Sequence, residues 1–91
     1  MKKIELSVKR KLKQQAHHLK PIIIIGAQGL TEAVQLEIET ALTAHELIKI
    51  KINAENKEER EAMIREICQA RESELIQTVG HVICIYREKD K

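Results

Sequence analysis

The spacing of apolar positions changes several times along the chain, and each change marks an element. From 8 to 19, Val8, Leu12, Ala16 and Leu19 recur at intervals of three and four. They therefore share one face of a helix and leave Lys9, Arg10, Lys11 and Lys13 on the remaining surface. Ser7 stands where an N-cap belongs. Pro21 forbids continuation of that helix and biases Lys20 toward an extended backbone. Isoleucines fill positions 22 to 25. They are β-branched and do not alternate with polar residues, which predicts a strand buried on both faces.

The tetrapeptide Gly26-Ala27-Gln28-Gly29 comes next, and Thr31 is placed to cap a second helix running to about residue 44. Val34, Ile38, Ala41 and Leu42 form its inner stripe, and Glu32 lies in the first turn, where the helix dipole favours an acid. Over 46–52, Ile48, Ile50 and Ile52 alternate with Lys49 and Lys51, the signature of a strand with one buried and one wet face. Asn56 and Glu59 make a capping-box pair opening a third helix to about residue 71, with Met63, Ile64, Ile67 and Cys68 facing inward. Segments 75–79 and 82–87 flank Gly80-His81, and a glycine first in a two-residue loop predicts a type II′ hairpin. The polar tail, 88–91, is expected to fray.

The resulting order, α-β-α-β-α-β-β, predicts an α/β fold with a mixed four-stranded sheet and helices packed on it. The two strand–helix–strand crossovers favour parallel pairing, and the final hairpin adds an antiparallel pair. Strand order is left open. At 91 residues, one domain spanning 1–91 is expected.

Charge adds a second layer. Residues 1–20 hold seven basic side chains against the single acid Glu5, a local net of +6, while the remaining 71 residues hold nine basic and thirteen acidic groups, a net of −4. A basic arm on a mildly acidic body suits a polyanion-binding face, or equally a solvated helix. The chain has no Trp or Phe, and Tyr86 is its one aromatic. Sheet platforms that read single-stranded RNA stack bases on several aromatics, so such a platform is excluded. Any nucleic acid would have to be held through backbone phosphates and shape.

Other chemistry finds little support. His17 and His18 are adjacent and point apart on a helix, and Cys68 and Cys84 have no Cys-x-x-Cys or zinc-site spacing. Both cysteines fall in apolar patterns and read as buried, reduced thiols. Ser7, Ser73 and Asp90 form no recognisable nucleophile arrangement. No metal, cofactor, small-molecule substrate or enzymatic activity is expected. No apolar run approaches the roughly 20 residues of a membrane span, and residues 1–6 lack the apolar core of a secretory signal. A cytoplasmic monomer is the expectation.

A strand, a glycine loop and a helix start, in that order, can cradle a phosphate on backbone N–H groups. Gly26-x-x-Gly29 is neither the phosphate loop nor the dinucleotide fingerprint of nucleotide-binding proteins. Three segments together are more specific: 25–31 (Ile-Gly-Ala-Gln-Gly-Leu-Thr), 44–50 (Ala-His-Glu-Leu-Ile-Lys-Ile) and 79–87 (Val-Gly-His-Val-Ile-Cys-Ile-Tyr-Arg). With 12–21, they resemble the CRM domain, named for chloroplast RNA splicing and ribosome maturation, in its bacterial stand-alone YhbY-like form.

The resemblance implies a fold similar to the C-terminal domain of translation initiation factor three. It implies binding to ribosomal RNA of the precursor large subunit and a role in ribosome assembly. It likens the glycine loop to the RNA-contacting loop of KH domains, giving that role to Gly26, Ala27, Gln28, Gly29 and the adjoining Leu30. A lysine often follows the first glycine in the family, and here that position is Ala27, which shifts the contact toward backbone N–H groups, Gln28 and Lys20. Lys9, Arg10, Lys13 and His18 are expected to add attraction, with Lys49 or Arg87 extending the surface. The alternative is a protein-interaction module whose basic helix docks an acidic partner on assembly particles.

Overall fold

A computed structural model describes residues 5–89. Lys2 and Lys3 of the basic arm, and Asp90 and Lys91 of the polar tail, lie outside the described residues. The elements are α1 (Leu6–Ala16), β1 (Ile23–Ile25), α2 (Glu32–His45), β2 (Leu47–Ile52), α3 (Lys57–Ala70), β3 (Glu74–Val79) and β4 (Val82–Tyr86). Their order is the one predicted, and the strands form one mixed sheet in the order β1-β2-β4-β3.

β1 runs parallel to β2, with Ile23 opposite Ile50 and Ile25 opposite Ile52. β4 is antiparallel to both of its neighbours. The second crossover, β2-α3-β3, therefore yields no parallel pair, because β4 inserts between those strands. Residue chemistry explains the choice. β4 presents Ile83, Cys84 and Ile85, all buried, which suits a central strand covered on both faces, whereas β3 carries the exposed Thr78 and Val79 and suits an edge.

The sheet has an apolar layer on each face. On one, Ile23, Ile25, Ile48, Ile50, Ile52, Ile83 and Ile85 pack against Ile38 and Leu42 of α2 and Ile64 and Ile67 of α3. On the other, Leu47, Ile76 and Cys84 pack against Leu12 and Ala16 of α1. α1 covers only part of its face. Ile22, Ile24 and Val79 retain 54%, 63% and 60% of their exposure, so β1 is an edge strand buried on one side. This corrects the expectation of a strand covered on both.

Three local differences have physical causes. α1 starts two residues earlier than predicted: the Lys9 N–H donates to the Glu5 carbonyl at 2.9 Å, which puts Ser7 inside the helix. The helix also ends at Ala16, leaving Leu19 beyond it and Leu12 and Ala16 as its buried residues. Beyond β4 the chain stays tied down as far as it is described. The Arg87 N–H donates to the Glu46 carbonyl at 2.9 Å, and the Lys89 N–H donates to Glu46 Oε2 at 2.8 Å.

Candidate nucleic-acid interface

The glycine loop leaves the end of β1 and enters α2. The Gly29 N–H donates to the Gly26 carbonyl at 3.0 Å, closing a turn over Ala27 and Gln28. Gly29 has φ +73°, a conformation that a residue with a Cβ adopts only under strain. Gly26 has no positive φ, and a Cβ built there meets nothing within 4 Å. Gly26, Ala27 and Gln28 are exposed, whereas Leu30 tucks against the α2–α3 side of the core. Thr31 caps α2 as predicted, its Oγ1 accepting from the Val34 N–H at 3.2 Å. The exposed Glu32 places a carboxylate in the same turn.

Two other segments reach the same end of the sheet. The Asn53 N–H donates to the Ile25 carbonyl at 2.9 Å, and the Ile52 N–H donates to the His81 carbonyl at 2.7 Å. The glycine loop, the β2–α3 connection and the β3–β4 turn are thus gathered together. Gly80 in that last turn has φ +59° and His81 does not have a positive φ, as a type II′ turn requires. Asn56 Oδ1 accepts from the Glu59 N–H at 2.8 Å and caps α3. Lys57, the first residue of α3, brings an exposed cation to this end that the sequence reading passed over.

The remaining expected residues lie elsewhere. Lys9, Arg10 and Lys13 belong to α1, across the sheet from α2 and α3, and His18 and Lys20 follow its end. Residues 21–25 separate Lys20 from the loop, a stretch of roughly 16 Å when extended. Lys49 projects from β2 on the α1 side of the sheet, as does Lys51, which is paired in register with Ile24. Residues 22, 24, 49, 51, 77, 79 and 82 occupy the part of this face that α1 leaves uncovered, and none is acidic. This basic floor connects the α1 end to the loop end.

Arg87 has a different setting. Its Nη1 and Nη2 each donate to the Glu39 carboxylate at 2.8 Å, and they also reach the Arg71 carbonyl at 3.1 Å and Thr43 Oγ1 at 3.2 Å. Arg71 Nη1 adds a contact to Glu39 at 3.3 Å. These hydrogen bonds, chiefly those from Arg87, hold the Glu39 carboxyl below the usual carboxylate range. Arg87 thereby ties β4 to α2 and the end of α3, and its guanidinium is already engaged.

The titratable groups do not suggest covalent chemistry. Burial pushes the Cys84 thiol up to about 11, and Cys68 is also raised, so both are protonated at neutral pH. Ser73 is buried. Among the described residues no three His, Cys, Asp or Glu side chains are placed to hold a metal ion, and no helix is long and apolar enough to cross a membrane.

This architecture defines a small mixed-sheet α/β module with a glycine loop at one sheet end and a basic helix on the opposite face. Residues 5–87 match the model of the CRS1/YhbY (CRM) domain, and the chain belongs to that family. It is 42% identical over 88 residues to an RNA-binding protein of Haemophilus influenzae, covering 94% of this chain and 89% of that one. A probable RNA-binding protein of Pseudomonas aeruginosa is 41% identical over 83 residues, covering 91% of this chain and 80% of the relative. The solution structure of a Staphylococcus aureus protein superposes with a TM-score of 0.83 at 32% identity, covering 98% and 93% of the two chains.

Proposed function

We propose that this chain is a non-catalytic RNA-binding factor that associates with the precursor large ribosomal subunit and aids its assembly. The glycine loop meets an RNA phosphate through backbone N–H groups, with Gln28 alongside. Lys49 and Lys51 draw the adjoining backbone across the open sheet face toward Lys20, His18 and the α1 cations Lys9, Arg10 and Lys13. Lys57 supplies charge at the loop end. Arg87 is left out of this surface because Glu39 occupies it.

One observation carries the reading: an acid-free stretch of sheet bearing Lys49 and Lys51 leads to an exposed loop in which Gly26 leaves open space for close backbone approach. RNA as the ligand agrees with the names of the relatives. The ribosomal assignment rests on the family resemblance.

The mechanism is tested by salt. About four phosphate contacts on a single or double strand would lower affinity roughly 50- to 150-fold between 50 and 200 mM salt. Binding of the purified protein to large-subunit RNA should show that slope, and the protein should cosediment with precursor particles in an RNase-sensitive way. A flat salt response refutes the phosphate contacts. RNase-resistant cosedimentation would favour docking on a protein component.

A further inference from the structure

Phosphate contacts position an RNA but read none of its sequence, since every nucleotide offers the same backbone. We propose that the hollow on the uncovered sheet face is a base-reading subsite that takes one unpaired purine of the bound RNA, an inference that rests on the RNA-binding reading above. The hollow is half open to solvent, has a volume of about 260 Å³, and its lining includes His17, Pro21, Lys49, Gln77, Val79 and Val82. That is below the roughly 300–1,000 Å³ of pockets for drug-sized ligands and fits a single base better than a larger group.

The lining has the required chemistry. The His17 imidazole supplies a flat aromatic face of the kind on which unpaired bases stack. Pro21, Val79 and Val82 supply apolar walls. Lys49 donates hydrogen bonds and suits guanine O6 and N7, whereas the Gln77 amide both donates and accepts and suits adenine N6 and N7. Both polar partners thus match the N7-bearing edge that pyrimidines lack. No carboxylate lines the hollow to repel an approaching phosphate.

The strand geometry supports the site independently. Strict alternation would put Gln77 and Val79 on the same face as Leu75, toward α2 and α3. The register shift between Leu75 and Gln77 breaks that pattern: Leu75 pairs with Ile85, but Gln77 pairs with Cys84 and Val79 with Val82. The bulge turns Gln77 and Val79 onto the open face, and bulges commonly re-aim side chains in this way.

The test uses four fluorescent RNA octamers: uridine throughout, and the same strand with a single central adenosine, guanosine or cytidine. Length and phosphate number are then constant. The wild-type protein should bind at least one purine-containing octamer about fivefold or more tighter than the uridine and cytidine forms. In Gln77→Leu and in Lys49→Met, each checked for folding by circular dichroism, the purine advantage should fall toward one. Equal wild-type affinity for all four overturns the subsite and leaves the RNA-binding reading standing. Failure to bind any octamer or large-subunit RNA overturns both. A purine advantage that persists in both folded variants places base reading elsewhere and refutes this assignment.

Discussion

Replacing Glu39 by Gln would test whether Arg87 is a structural tie. The substitution keeps the side-chain shape and removes the charge that holds two guanidinium groups. Glu39 accepts a two-pronged contact from Arg87 at 2.8 Å and one from Arg71 at 3.3 Å. The side chains of Arg87, Arg71 and Glu39 retain 22%, 26% and 38% of their exposure. Fully buried pairs lose about 3–5 kcal/mol when broken and exposed ones contribute at most about 1 kcal/mol. With solvent screening at this exposure, about 1–2 kcal/mol is the expected loss. For a domain of this size that is a fall in Tm of roughly 5–15 °C.

The pH dependence has a definite sign. The Glu39 carboxyl is lowered in the folded protein, so its contribution is fully present above the unfolded value of about 4.3 and is lost as pH falls through the folded value. Thermal melts followed by circular dichroism from pH 7 to pH 2 should show a wild-type advantage at neutrality that shrinks in acid. Equal Tm values at pH 7, or a gap that does not shrink in acid, would refute the coupling and free Arg87 for another role.

The two loop glycines should separate folding from binding. Gly26→Asp meets open space without a positive φ, so stability should change by about 0.5 kcal/mol or less while affinity for large-subunit RNA falls severalfold; unchanged affinity removes the loop from the contact surface. Gly29→Ala, at φ +73°, should cost about 1–2 kcal/mol in a denaturant titration, and a neutral result would contradict the strain argument. On β1, Ile25→Ala should cost about 2–5 kcal/mol because Ile25 is fully buried, whereas Ile24→Ala, at 63% exposure, should cost less than about 1 kcal/mol. Similar losses at both positions would mean that the outer face of β1 is covered in solution.

Much of the fold was legible because local signals agreed. Thr31 and Asn56 cap the helices they were expected to cap. The alternation of Ile48, Ile50 and Ile52 gave β2, and Gly80 gave the hairpin. The isoleucine run misled because a continuous apolar strand reads as covered on both faces, and whether a helix lies over the second face is a property of the packing, not of the run. The second apolar face was hidden for a related reason. Leu47, Ile76 and Cys84 are scattered along the chain and meet only once β4 lies between β2 and β3. The glycine loop was visible as contiguous residues. The hollow was not, since its walls come from 17, 21, 49, 77, 79 and 82, and Gln77 reaches it through a bulge that carries no glycine or proline signal.

The position of β4 also bears on how the chain can be made. Synthesis delivers β2 and β3 before the strand that must lie between them. Until Val82–Tyr86 is available, Ile48, Ile50 and Ile52 have no partner on one flank, and β3 has none on either. A nascent chain interrupted at the hairpin would therefore display three more raw strand edges beside an isoleucine-rich surface, a state prone to pairing with its neighbours. Completion of this sheet is a late event set by its last strand, so premature termination there should yield aggregates and not a partly working protein.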